Sequence, residues 1–152
     1  MDFTINSFNF TNITKSSQLE LHTTPLIVSF KTIDVAGKGS LFVAEGGKEI
    51  PFPIKRVYWV ADAESEGEVR GHHAHKESIQ VVVPLHGKLK IELESQNGET
   101  FTFELSKPSE GLLVPPLFWR RIFMEKGGNC LCFASKEYNE EDYIRDYSVF
   151  KK

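Results

Sequence analysis

The chain has 152 residues, with 18 basic against 21 acidic side chains and a formal charge of −3, which suits one domain whose core needs no disulfide or metal staple. No basic face or tail points to nucleic acid or an anionic membrane as a partner, and no run of about 18 apolar residues offers a membrane span. The opening Met1-Asp2-Phe3-Thr4 lacks the basic and apolar stretches of a secretory leader, so the cytoplasm is the expected location.

Residues 1–25, rich in Thr, Asn and Ser with irregular apolar spacing, read as an N-terminal extension with one weak strand at residues 8–10. Residues 26–152 follow as one domain of short strands. The expected strands are 26–33, 41–44, 54–60, 79–84, 88–94, 100–105, 112–114, 118–124 and 129–134, rich in β-branched and aromatic residues and separated by Gly, Pro and Asn turns. Ile50-Pro51-Phe52-Pro53 is extended, since proline keeps the residue before it out of the helical region. Many short strands at near-regular intervals indicate an all-β sandwich or small closed barrel. Residues 139–147 read as the one helix: Asn139 caps it, Glu140, Glu141 and Asp142 suit its positive end, and Tyr143 and Tyr147 lie four apart on a face packed against the barrel. Cys130 and Cys132 alternate on a strand and share a face as small apolar residues, two ligands being too few for a metal.

Chemistry concentrates in Arg70-Gly71-His72-His73-Ala74-His75-Lys76, which carries three of the five histidines. On a strand His73 and His75 project to one side, with His72 and Ala74 facing the other way. Paired imidazoles serve either as metal ligands or as acid–base groups near neutral pH. Arg56 and Tyr58, two apart on the strand before the acidic loop 62–68, share a face, and Arg56 suits either an anionic ligand or a rim ion pair with that loop.

The spacing of Gly67, His73, His75, Gln80 and Gly87 resembles the first motif of the cupin superfamily, whose members are jelly-roll barrels. Metal-binding cupins use two histidines and a glutamate of this motif and a histidine of a second. Here Gln80 stands in the glutamate's place, and the second region, 111–121, offers Arg120 and Arg121 instead of the histidine. Arginine stays protonated and does not ligate. The resemblance therefore implies a cupin jelly-roll barrel with a short C-terminal helix, holding no metal and no other cofactor.

Over residues 28–152 the likeness sharpens. Ile50-Pro51-Phe52-Pro53-Ile54-Lys55-Arg56-Val57-Tyr58-Trp59, the histidine stretch and Asp142-Tyr143-Ile144-Arg145-Asp146-Tyr147 together resemble the cupin-type dTDP-sugar 3,4-ketoisomerases of the WxcM-like family. These convert dTDP-4-keto-6-deoxyglucose to a 3-keto sugar on the way to 3-amino-3,6-dideoxyhexoses of bacterial surface glycans such as lipopolysaccharide O-antigens and S-layer glycans. The reaction moves protons between carbon and oxygen, and a base with a pKa near 7 suits it. The resemblance implies that His73 is the carbon base, that Tyr58 relays protons at the sugar oxygens with His75 supporting or sharing the relay, and that Arg56 and Arg70 hold the diphosphate. Gln80, Arg120 and Arg121 complete the expected substrate-binding set.

It also implies a homodimer with exchanged N-terminal strands. Two positions depart from the family pattern: His72, where an apolar or aromatic residue is usual, and Arg120, where a histidine is. The second bears on sugar recognition and on the face from which C4 is reprotonated. Two other functions share these residue types, a sugar-nucleotide 3,5-epimerase with a His base and Tyr acid, and a cupin that binds a sugar nucleotide without turning it over.

Overall fold

Alternation of buried and exposed side chains builds two five-stranded sheets, as in β7, Leu89–Ser95, where Leu89, Ile91 and Leu93 turn inward. The computed structural model describes residues 23–152; the weak strand expected at 8–10 and nearly all of the expected extension lie outside them. The first sheet runs β1 (Leu26–Ser29), β9 (Glu110–Val114), β6 (Gln80–His86), β11 (Asn129–Ala134), β4 (Arg56–Val60). The second runs β12 (Tyr143–Ile144), β5 (Glu68–His75), β10 (Phe118–Met124), β7, β8 (Thr100–Leu105). Every pairing within them is antiparallel. The fold is all-β and of the jelly-roll kind expected.

Leu89, Ile91, Leu93, Phe103, Leu105, Leu112, Phe118, Met124, Cys130 and Cys132 fill the space between the sheets, each aliphatic side chain contributing about 1.5–3 kcal/mol by leaving water. Both cysteines are free and buried on one face. A second cluster lies on the outer face of the first sheet, where Val81, Val83 and Leu113 pack against Val28, Phe30, Ile50 and Phe52. Strand β6 is thus covered on both faces, which is why its sequence reads as an unbroken apolar run.

The strand expected over 26–33 breaks at Phe30. After the amide of Phe30 donates to the Ser109 carbonyl at 2.8 Å, the chain leaves the sheet, and among the described residues β2 (Lys31–Val35) pairs only with β3 (Gly39–Val43). Every residue of β2 is exposed.

The single helix expected over 139–147 is replaced by three pieces. Asn139 does cap, accepting from the Glu141 amide, but only a 3₁₀ turn, Glu140–Asp142, follows. Tyr143 and Ile144 then pair as β12 with His75 and Ala74, and Asp146 caps a separate four-residue helix α1, Tyr147–Phe150. The open edge of β5 takes up the backbone groups that a continuous helix would have used, since the Lys76 amide also donates to the Asp142 carbonyl at 2.8 Å. Tyr143 and Tyr147 consequently share no helical face. Tyr143 stacks on His75, and Tyr147 packs edge-on against Trp119 on the other side of the sheet.

Candidate active site

Strand β5 carries the histidines, and its register against β10 places them. Arg120 pairs with His73 and Arg121 with Gly71, leaving His72 as an extra, bulged residue. Gly71 has φ +99° and His72 φ +52°. A side chain at Gly71 would put its Cβ 2.7 Å from the Arg120 carbonyl oxygen, so both the conformation and the close approach require glycine. The bulge resets the alternation. Arg70 pairs with inward-facing Ile122, and His73 with buried Arg120, so Arg70 joins His73 and His75 on one side although its parity in sequence is opposite.

His73 and His75 stand edge to face with ring centroids 5.0 Å apart, and Tyr143 packs 5.1 and 4.3 Å from them. The Nδ1 of His73 lies 2.9 Å from the Gly71 carbonyl. A carbonyl only accepts, so the proton sits on Nδ1 and Nε2 carries a lone pair. That Nε2 is buried and has no hydrogen-bond partner among the described residues. Burial, then the charge of Arg120, push the His73 pKa down to about 4, against the Gly71 bond that raises it.

His75 is fully buried and held at both nitrogens, by Asp142 Oδ2 at 2.9 Å from Nδ1 and by Gln80 Nε2 at 3.1 Å from Nε2. Burial first, then Arg120, hold it neutral, far below the usual histidine range. The other end of the Gln80 amide, Oε1, accepts from Tyr58 Oη at 3.3 Å and from Arg120 Nη1. Desolvation raises the Tyr58 pKa well above that of a free phenol.

Arg120 is the largest fully buried side chain. No carboxylate pairs with it among the described residues, and its Nε and Nη2 have no partner. Burial lowers its pKa. A cation in this position presents unsatisfied donors to whatever anionic oxygen enters beside it. Arg56 lies over the rings of Tyr58 and Tyr138 at 5.2 and 5.6 Å, with Nε buried and unpartnered among the described residues. It forms no ion pair with the acidic loop among the described residues. Arg70 is half exposed at the rim and pairs with Glu68 at 2.9 Å.

The fold thus gathers Tyr58, His73, His75, Gln80 and Arg120 around one point, with Arg56 beside them and Arg70 on the same side. It does not bring Arg121 there. Neighbouring residues on a strand point apart, and Arg121 faces outward, 2.6 Å from Glu92. His72 faces outward too, and both line a surface groove of about 600 Å³ with Glu94, Thr100 and Trp119. Asp142 and Tyr143, which the sequence reading assigns to a helix and not to the site, border it; Asp142 lies 67 residues from His75 along the chain, so no local spacing signals their contact.

The donor set does not fit a cupin metal. A cation would need both imidazole Nε2 lone pairs, but that of His75 is engaged by Gln80, and Arg120 places a fixed charge on the remaining amide oxygen.

Residues 23–152 match the family model described as FdtA, WxcM-like, C-terminal. The TDP-4-oxo-6-deoxy-alpha-D-glucose-3,4-oxoisomerase of Aneurinibacillus thermoaerophilus is 41% identical over 128 residues, spanning 83% of this chain and 89% of that protein. Two crystal structures of the sugar 3,4-ketoisomerase QdtA from Thermoanaerobacterium thermosaccharolyticum are also similar at 38% identity. The complex with TDP superposes with a TM-score of 0.79 over 85% of this chain and 93% of that one. A histidine-to-asparagine variant in complex with TDP-4-keto-6-deoxyglucose gives 0.78 over 85% and 92%. The bulged histidine strand, the buried polar cluster and this extent of similarity together show that the chain belongs to the FdtA family, WxcM-like, C-terminal.

Proposed function

We propose that this protein is a TDP-sugar 3,4-ketoisomerase that converts TDP-4-keto-6-deoxyglucose to a TDP-3-keto-6-deoxyhexose by acid–base catalysis without a metal. The observation that carries the reading is the buried Nε2 of His73, unpartnered among the described residues, a base held in its unprotonated form beside donors suited to oxygen. The names and bound ligands of the related ketoisomerases supply the substrate class.

In this reading His73 Nε2 removes the proton from C3, and the C3–H electrons form the C3–C4 double bond as the C4 carbonyl oxygen takes a proton. Tyr58 supplies and recovers protons at the sugar oxygens. Loss of the O3 proton then forms the C3 carbonyl, and C4 receives a proton, so no electron leaves the sugar. Arg120, through its free Nε and Nη2, stabilises negative charge on the enediol oxygens, and Gln80 orients it. His75 supports Gln80, both of its nitrogens being engaged. Arg56 and Arg70 hold the diphosphate through paired, permanently charged donors.

Residues 26–152 act as one cupin domain. The protein works in the cytoplasm, where a diphosphate that does not cross a bilayer unaided is kept, and supplies 3-amino-3,6-dideoxyhexoses to bacterial surface glycans. Two copies associate through the β2–β3 hairpin, since Ile33, Val35, Leu41 and Phe42 on it and Trp59 on β4 are exposed.

The test is conversion of TDP-4-keto-6-deoxyglucose by chelator-treated protein, coupled to a 3-aminotransferase. The expected result is amination at C3. Exchange at C5 with the ketone still at C4 would instead indicate a 3,5-epimerase, and tight TDP-sugar binding with neither exchange nor product would indicate a binding protein.

A further inference from the structure

We infer that Asp142 is a positioning residue: by accepting the Nδ1 proton of His75 it fixes the direction of a hydrogen-bond chain that ends on Tyr58 and Arg120. The inference deepens the ketoisomerase reading and rests on it for its catalytic consequence, though not for the structural one.

Asp142 uses both carboxylate oxygens as acceptors. Oδ1 takes the Glu77 amide at 2.8 Å and Oδ2 faces His75 Nδ1 at 2.9 Å, while its main-chain carbonyl takes the Lys76 amide. The side chain is therefore anchored to the turn after β5. With the proton on Nδ1, His75 presents a lone pair at Nε2, and Gln80 must turn its NH₂ toward it. The amide oxygen then faces Tyr58 and Arg120. Arginine has no acceptor, so the far end of the chain demands the same orientation of Gln80. A carboxylate at one end and a guanidinium at the other thus agree on every donor and acceptor between them, and the interior is water-poor enough to make a reversed pair costly.

Asp142→Asn breaks that agreement without changing shape. The Glu77 amide can only donate, so the oxygen of the new side chain stays with it and the NH₂ turns to His75. The imidazole must then carry its proton on Nε2, where it meets the NH₂ of Gln80. Gln80 cannot turn over without aiming NH₂ at Arg120. A second change, Gln80→Glu, removes the conflict, because a carboxylate accepts from His75 Nε2, Tyr58 and Arg120 alike.

The experiment is two-bond ¹H–¹⁵N NMR of histidine-labelled protein, with turnover of TDP-4-keto-6-deoxyglucose measured in chelator. Wild-type His75 should show the Nδ1–H tautomer and D142N the Nε2–H tautomer. The kcat of D142N should fall by about 10- to 100-fold or more, as when a carboxylate that orients an imidazole is lost, and D142N/Q80E should recover at least about tenfold of that loss, a coupling between the two sites. An unchanged tautomer in D142N, or a double variant no more active than the product of the single effects, would overturn the inference. Lack of turnover by the wild type would instead overturn the ketoisomerase reading, and the tautomers, read without substrate, would still decide the role of Asp142. If D142N does not fold, the wild type alone decides: His75 must show the Nδ1–H tautomer, and an Nε2–H tautomer there would contradict the chain.

Discussion

His73 donates its Nδ1 proton to the carbonyl of Gly71, two residues earlier and 2.9 Å away, because the bulge at Gly71 and His72 turns that carbonyl toward the ring. The same bulge that turns Arg70 to the side of the histidines thereby selects the tautomer with its lone pair on Nε2.

One consequence is pH dependence. Burial and the charges of Arg120 and Arg145 hold His73 down at about 4, with Glu140 opposing, so the base form persists well below the ordinary histidine pKa of about 6.5. The acid limb of kcat/KM for the free enzyme should fall near pH 4 to 5 instead of 6.5. Stability carries the matching sign. The unfolded chain takes up a proton on this residue below about 6.5 that the folded chain refuses until about 4. The contribution is complete above 6.5 and lost as pH falls through that window, which thermal melts from pH 7 to 4 will register as a declining Tm. A Tm flat over that range would contradict it.

Replacing Arg120 by Met separates stability from catalysis. The guanidinium is buried with no carboxylate paired to it among the described residues, and apolar replacement of a buried charge is often neutral or stabilising, by about 1–4 kcal/mol for buried ion pairs. R120M should melt no more than slightly below wild type, lose about 10²–10³-fold in kcat as an oxyanion donor is removed, and shift the acid limb upward because Arg120 is one of the groups depressing His73. An unchanged acid limb would show that Arg120 does not act on His73.

Gly71→Ala tests the bulge. A left-handed φ and a Cβ 2.7 Å from the Arg120 carbonyl oxygen should cost about 1–3 kcal/mol, measured by urea denaturation, and displace His73 enough to lower kcat. Gly37→Ala, with φ +72° in an open turn with nothing within 4 Å of the added Cβ, is the control for backbone strain alone and should leave kcat unchanged.

Much of the fold was legible because Gly and Pro punctuate the chain and the strands alternate cleanly, as in residues 129–134, where Cys130, Cys132 and Ala134 are buried in turn. The face shared by His73 and His75 was legible for the same reason. The bulge was not, since nothing in Gly71-His72 announces which residue the partner strand will skip. Alternation alone would have separated Arg120 from Arg121. The C-terminal helix was misread because acidic residues after a capping Asn suit a helix locally, whereas Tyr143 and Ile144 complete the edge of β5, a partner nearly 70 residues away. Asp142 was hidden by that misreading: what looked like complement to a helix dipole is a ligand of His75.

In the proposed mechanism His73 Nε2 abstracts the C3 proton. Its most direct test is ¹H NMR of TDP-4-keto-6-deoxyglucose in deuterated water with wild type and with His73→Asn. Wild type should give carbonyl migration with deuterium at C4 of the 3-keto product and at C3 of recovered 4-keto substrate, and the variant should lose both by about 10²–10⁴-fold. C3 exchange in H73N at the wild-type rate would contradict it.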